Sequence, residues 1–347
     1  MRKILTALII TVLGVAGYAQ DIHFSQFYAA PLDLNPAMTG VMKCKMRFSA
    51  NYRNQWSPIL KINAYNTYMF SYDQKVPVGR YDYFGFGANF WGDKAGALGF
   101  GTVQFRASAA YSKRLGGDRY SSHYLVFGAN GGINQRSINF QNAKYGSQHD
   151  TKGGWDPDRP KDPVENDANE RFAFADVSVG ALWYSILNRH NSFWAGLAMN
   201  HLNQANVSFY RSEIVPLYSK LTFHAGGEFK ASQQMYVVPG VVFFNQGPSW
   251  EVNAGSSLRF NMTKRRYEEQ SFDVGLWARV SNGESKATFD AIILSTRFDY
   301  NKFGIGFTYD VNTSSLREAN PANNSFELSL VYVICGPERR GVYCPNF

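Results

Sequence analysis

Met46-Arg47-Phe48-Ser49-Ala50-Asn51-Tyr52-Arg53 sets an apolar side chain at every even position and a polar or ionic one at every odd position. Successive side chains of an extended strand point to opposite faces, so this stretch makes a strand with one greasy and one charged face. The rhythm recurs. Leu221, Phe223, Ala225, Gly227 and Phe229 interleave with Lys220, Thr222, His224, Gly226, Glu228 and Lys230. Trp250, Val252, Ala254, Leu258 and Phe260 oppose Glu251, Asn253, Arg259 and Asn261. Phe303, Ile305, Phe307, Tyr309 and Val311 oppose Gly304, Gly306, Thr308 and Asp310, and Phe326, Leu328, Leu330 and Tyr332 alternate with Glu327, Ser329 and Val331.

Followed along the chain, the pattern predicts strands near 46–56, 62–73, 83–91, 98–113, 121–136, 173–187 and 191–202. Seven more fall near 218–231, 234–246, 249–262, 272–281, 285–300, 302–313 and 323–334. That is about fourteen, each near or above the ~9–11 residues that a tilted membrane strand needs. Composition agrees: aromatics make up 16%, with 27 Phe and 21 Tyr, yet mean hydropathy is −0.31, too polar for a helical membrane protein. A soluble sandwich would not put Phe, Leu and Trp repeatedly on its solvent face. Connections also alternate in length. With the mature N-terminus in the periplasm, even-numbered turns should be short and odd ones long; 188–190, 232–233 and 301 are short and even, 137–172 and 203–217 long and odd. The even turns near 74–82 and 263–271 are longer than this rule wants.

The first residues read Met1-Arg2-Lys3, an apolar stretch Ile4 to Ala16, then Gly17-Tyr18-Ala19 before Gln20. A basic tip, a short apolar core and small residues at the processing site predict a secretory signal peptide, 1–19, cleaved after Ala19. Elsewhere no run reaches the ~18 apolar residues of a membrane-spanning helix. The expected architecture is therefore all-β: a transmembrane antiparallel up-and-down barrel over 46–334. A non-strand segment 20–45 precedes it, capping the lumen or lying at the periplasmic rim, and a tail 335–347 follows. The location expected is the outer membrane of a Gram-negative cell.

Charges belong in the lumen, because an Arg or Lys at mid-depth on the lipid face costs roughly 2–4 kcal/mol. The inward phase holds Arg47, Arg53, Lys220, Glu228, Glu251, Arg259, Asp273, Arg279, Asp290 and Asp310. Trp277 falls on the same phase, which favours an obstructed lumen over an open pore. No catalytic set emerges: His23, His123, His149, His190, His201 and His224 lie in no hydrolase or zinc-protease context, and His224 reads as a satisfied lumen histidine. No metal site is defined, since Asp156-Pro157-Asp158 in the Pro/Gly/Asp-rich 137–172 loop lacks ligand spacing, and no cofactor is expected. Basic residues are dispersed, so the formal charge of +8 does not point to nucleic acid. Three cysteines leave two pairings open: Cys335 with Cys344 across a short loop, or Cys44 with Cys335 if first and last strands adjoin.

Several stretches resemble the PorP/SprF family of type IX secretion system outer-membrane proteins. They are Asp21-Ile22-His23-Phe24-Ser25-Gln26-Phe27-Tyr28-Ala29-Ala30-Pro31-Leu32-Asp33-Leu34-Asn35-Pro36-Ala37, Tyr52-Arg53-Asn54-Gln55-Trp56, Ser71-Tyr72-Asp73, Asn89-Phe90-Trp91-Gly92-Asp93-Lys94-Ala95-Gly96, and Gly306-Phe307-Thr308-Tyr309-Asp310-Val311-Asn312-Thr313-Ser314-Ser315-Leu316. The Cys335 to Phe347 ending is similar too. The resemblance implies a barrel that helps secrete, or retain at the surface, proteins carrying a C-terminal sorting domain, adhesin-like cargo among them. It implies periplasmic or outer-membrane secretion subunits as partners, and no catalytic motif. Phe24, Gln26, Phe27, Tyr28, Asn35, Pro36, Arg53 and Trp56 are the candidate partner-binding residues. A solute channel is the alternative reading.

Overall fold

The structure, a computed structural model, describes residues 21–336 apart from 119–120, 150–153, 155, 157, 160–167, 189, 263–269, 283–286 and 315–323. The expected leader 1–19 and most of the expected tail lie outside the described residues. Fourteen antiparallel strands close into one barrel in simple chain order, the first paired with the last. They are β1 (Met46–Gln55), β2 (Tyr65–Val78), β3 (Asp82–Ala95), β4 (Phe100–Gly116), β5 (Ser122–Ser137), β6 (Arg171–Ile186) and β7 (Ser192–Asn200). The second half comprises β8 (Lys220–Lys230), β9 (Met235–Gln246), β10 (Ser249–Asn261), β11 (Gln270–Asn282), β12 (Ala287–Tyr300), β13 (Phe303–Asn312) and β14 (Ser325–Ile334). Among the described residues no helix is long and apolar enough to cross a membrane.

The two-residue rhythm sorts as physics requires. Phe105, Phe127, Leu276 and Ile305 are each more than half exposed on the outer face, while Arg47, Asp73, Arg106, Asp176 and Glu327 are buried on the inner one. Closure leaves no free edge strand, since each strand pairs with a neighbour on both sides, the condition for placing a sheet in hydrocarbon. β2 and β3 run beyond the predicted 62–73 and 83–91, shortening the turn between them to 79–81. Gln74, Lys75 and Pro77 end the apolar alternation there, but a strand can continue past the lipid band, where both faces are wet.

The two rims differ. One gathers Met46, Ile334 and the short turns 79–81, 231–234 and 301–302; the other carries the long connections 138–170 and 201–219. The long connections pack on each other: Phe209 meets Phe172 at 5.0 Å and Phe100 at 6.0 Å between ring centroids, and Asn169 N donates to Phe209 O at 2.7 Å. At the short-turn rim Cys44 is bonded to Cys335, with Cα atoms 4.3 Å apart. This corrects the Cys335–Cys344 pairing. Met46 faces Ile334 across the closing seam, so the residues just outside that pair are adjacent in space despite their distance in sequence. Cys344 lies outside the described residues.

Candidate functional site: a strap through the lumen

Residues 21–42 run through the barrel rather than along its rim. Three short helical turns, Phe27–Ala29, Pro31–Leu34 and Pro36–Met38, break the segment. Pro31 and Pro36 each open a turn, where a missing N–H costs nothing and a fixed φ suits the helix. The Asn35 side chain caps the last turn by accepting from Ala37 N at 2.8 Å. A strap without regular structure must find partners for its backbone in the wall. Ser25 N and Gln26 N donate to the Glu327 carboxylate at 2.6 and 2.9 Å, and Gly40 N donates to Asp73 Oδ2 at 2.8 Å. Asn51 donates to Ala29 O at 3.2 Å, Arg53 to His23 O at 2.5 Å and Lys220 to Ile22 O at 3.4 Å.

Apolar packing holds the middle. Leu34, Ala37, Met38 and Val41 bury against Tyr83, Tyr124, Leu182 and Tyr184. Inward-facing glycines make the space: a Cβ on Gly85 would lie 2.0 Å from Thr39 O, one on Gly180 2.0 Å from Asn35 Oδ1, and one on Gly128 2.5 Å from the Pro36 carbonyl. Such glycines mark places where another backbone or side chain comes close. Asn35 Nδ2 reaches the carbonyls of Ala181 and Leu197 at 3.1 and 3.2 Å and sits 3.0 Å from His224 Nε2. His224, the histidine singled out by its inward phase, is thus engaged by the strap.

The lumen charges are paired. Arg47 grips Asp73 through two nitrogens at 3.0 and 2.8 Å. Arg53 lies 3.2 Å from Glu327 and 3.6 Å from Asp310, and Arg279 lies 3.1 Å from Asp310, 3.6 Å from Glu251 and 3.9 Å from Asp290. Arg259 bridges Glu228 at 2.6 Å and Asp273 at 2.9 Å. Buried pairs of this kind add little net stability, but removing one partner strands a charge. The lining is also covered: Asp73, Thr222 and Thr308 are fully buried, whereas the wall of an open pore would be exposed.

At the long-loop rim the strap ends in a second cluster. His201 follows β7 in a left-handed conformation, φ 57°, and its ring is buried. Nδ1 meets Asp176 Oδ1 at 2.9 Å and Nε2 meets Asp21 Oδ2. A ring that gives a hydrogen to a carboxylate at both nitrogens is an imidazolium. Burial opposes that charge, but Asp21 and Asp176 outweigh it and raise the His201 pKa to about 9. Burial alone would push the Asp21 carboxyl up; His201, then Lys220 and Arg106, carry it well below the usual carboxylate range. Arg106 holds Asp176 at 2.5 Å and stands 3.9 Å from Asp33, whose carboxyl burial pushes up. His23, 3.4 Å from Glu251, is kept neutral by burial and by Arg53, Arg279 and Lys220, so that contact is no ion pair.

Sequence reasoning chose the segment and left it between lumen cap and periplasmic rim; its residues lie in the lumen. Phe24, Gln26, Phe27, Asn35, Pro36 and Arg53, expected to bind partners, are buried in the lumen, where they seat the strap. Tyr28 is partly buried among Phe27 and Trp277. Trp56 ends β1 at the long-loop rim, edge-on to Tyr65 at 5.2 Å. Asp73, Arg106, Asp176 and Glu327 were absent from the expected charge set although each lies on its strand's inward phase. Asp21 lies in the strap, where alternation gives no signal, and His201 lies just past the end of β7 although the predicted strand 191–202 included it.

Among solved structures the chain is similar to CdiB from Escherichia coli, at 8% identity and a TM-score of 0.48, covering 83% of this chain and 63% of that one. It is similar to the Ralstonia pickettii toluene transporter TbuX at 9% identity and a TM-score of 0.46, covering 88% and 92%. The KdgM porin gives 7% and 0.33, covering 82% and 99%. The chain thus spans less than two thirds of CdiB's length. No curated protein matches it in sequence. The family model described as "Type IX secretion system membrane protein PorP/SprF" matches residues 16–332. With that match over most of a closed fourteen-strand barrel, the chain belongs to the PorP/SprF family and is an outer-membrane barrel component of the type IX secretion system.

Proposed function

We propose that this barrel works as a closed docking and assembly element, engaging large surface proteins that carry C-terminal sorting domains, and not as a conduit for solutes or cargo. The observation that carries the reading is the lumen strap: residues 21–42 are hydrogen-bonded to the wall from one rim to the other, and the wall they cover is buried. Short turns face the periplasm and long loops the outside in barrels of this kind. The packed 138–170 and 201–219 connections therefore face cargo, and the disulfide rim faces periplasmic subunits. Cleavage of residues 1–19 belongs to the same reading, as the route of export.

The test has two arms. Purified protein in planar bilayers should show no stable large conductance, and cells lacking it should lose export or display of particular large proteins with general permeability unchanged. A stable open pore in the intact protein would overturn the reading in favour of the solute channel.

A further inference from the structure

The amino end of the strap occupies a seat made for an anion. Arg106, His201 and Lys220 face Asp176, Asp33 and Asp21 there, three cations against three acids. Five of these groups are fixed to the wall or to the strap's packed middle; the sixth, Asp21, is carried by the strap's first described residue. Without Asp21 the cluster keeps three cations and two acids in a buried site, where an uncompensated charge is costly. Among the described residues Asp21 is held by two hydrogen bonds: its N–H donates to Gln246 Oε1 at 2.9 Å, and its carboxylate rests on His201 Nε2. Beside it a small cavity, lined by His23, Lys220, Gln246, Ser249 and Glu251 as well as Asp21, lies at the long-loop rim. Lys220 lines this space with its ammonium 4.8 Å from the Phe244 ring centroid.

We propose that the His201–Lys220 seat is an exchangeable carboxylate-binding site at the mouth of the barrel, filled in the resting protein by Asp21 and open to a carboxylate of a docked protein. Exchange frees the strap's amino end and loosens residues 21–26, which hang between Asp21 and the Glu327 anchor. The backbone of His201 couples the seat to the loop above it, because its carbonyl accepts from Ser219 Oγ at 3.1 Å and from Gln204 N at 3.1 Å across the 201–219 connection. The choice of a protein ligand rests on the docking reading; the seat's chemistry does not.

Two measurements test the seat without any cargo. Asp21→Asn empties it, and histidine-labelled protein in detergent micelles reports binding through the His201 ring resonances, assigned with His201→Gln. Acetate should shift those resonances saturably in Asp21→Asn and at concentrations at least about tenfold lower than in the parent protein, since the internal carboxylate competes. Acetamide should shift nothing. N-acetylated triglycine and N-acetyl-aspartyl amide then separate a chain-end carboxylate from a side-chain one. The second measurement uses the unaltered protein and so survives any folding defect of the variant: amide exchange over residues 21–26 should accelerate severalfold in acetate relative to equimolar chloride, while residues 37–40 stay unchanged. Equal response of Asp21→Asn and parent to acetate, or exchange insensitive to acetate, would overturn the proposal and leave the docking reading intact. Unchanged cargo display in cells lacking the protein, with a responsive seat, would do the reverse.

Discussion

Adding one methyl group at Gly128 should pry the strap from the wall. The new Cβ would stand 2.5 Å from Pro36 C, Pro36 O and Ala37 N, all backbone atoms, whereas ordinary contact begins at 3.4 Å. β5 cannot recede easily, because Gly128 is held in register between Ala110 and Gly180 on the neighbouring strands. The strap must therefore back away by roughly 1 Å, as far as the packing shortfall demands. Asn35 precedes the displaced peptide, and its three contacts at 3.0–3.2 Å would stretch to lengths that no longer count as hydrogen bonds. At about 1 kcal/mol for each contact, Gly128→Ala should cost on the order of 3 kcal/mol. The assay is urea unfolding in lipid vesicles, paired with planar-bilayer recording, in which the variant should show brief openings absent from the parent. Gly131→Ala is the control on the same strand, since its Cβ would meet only Asp176 O at 4.0 Å. If both variants unfold within about half a kcal/mol of the parent, the strap is not seated by close approach and the reasoning fails.

Arg47→Gln should lose roughly 3–5 kcal/mol of unfolding free energy, because it strands the buried Asp73 carboxylate, and Arg47→Met with Asp73→Leu should recover part of that loss. Cys44→Ser and Cys335→Ser should each lower stability by about 2–5 kcal/mol in non-reducing unfolding, with the double variant no worse than either single one. His201 carries a pKa raised to about 9 by Asp21 and Asp176 against the pull of burial, so its contribution is whole below about 6.5 and is lost as pH rises through 9. Asp21, held low, stays ionised throughout; Tm should fall between pH 7 and 10 more steeply in the parent than in His201→Gln. Leu276→Arg, on the outer face, should cost about 2–4 kcal/mol in vesicle refolding titrations.

Strand number, order and facing were legible because each strand writes its own two-residue code: Arg47 and Arg53 fall inward, Phe48 and Tyr52 outward, with no knowledge of any neighbour. The strap carries no such code. Its turns are three or four residues long, too short for a helical period, and its partners are single atoms far away in sequence, such as Glu327 for Ser25 or His224 for Asn35. A trace was nevertheless present in Gly85, Gly128 and Gly180. They take wall positions where a filled lumen without a strap would place larger side chains. The cysteines show the same limit from another side. Spacing left the local and the remote pair open, and only the closing of the cylinder, which sets Met46 beside Ile334, brings Cys44 to Cys335.

That link turns most of the polypeptide into a loop without ends. Cys44 and Cys335 are 291 positions apart, and every strand lies between them. An extracellular protease that nicks the 138–170 or 201–219 connection therefore yields no separate halves: the chain stays one molecule, migrating as two fragments only after reduction. Trimming at the exposed mouth can proceed while the embedded cylinder keeps its covalent continuity.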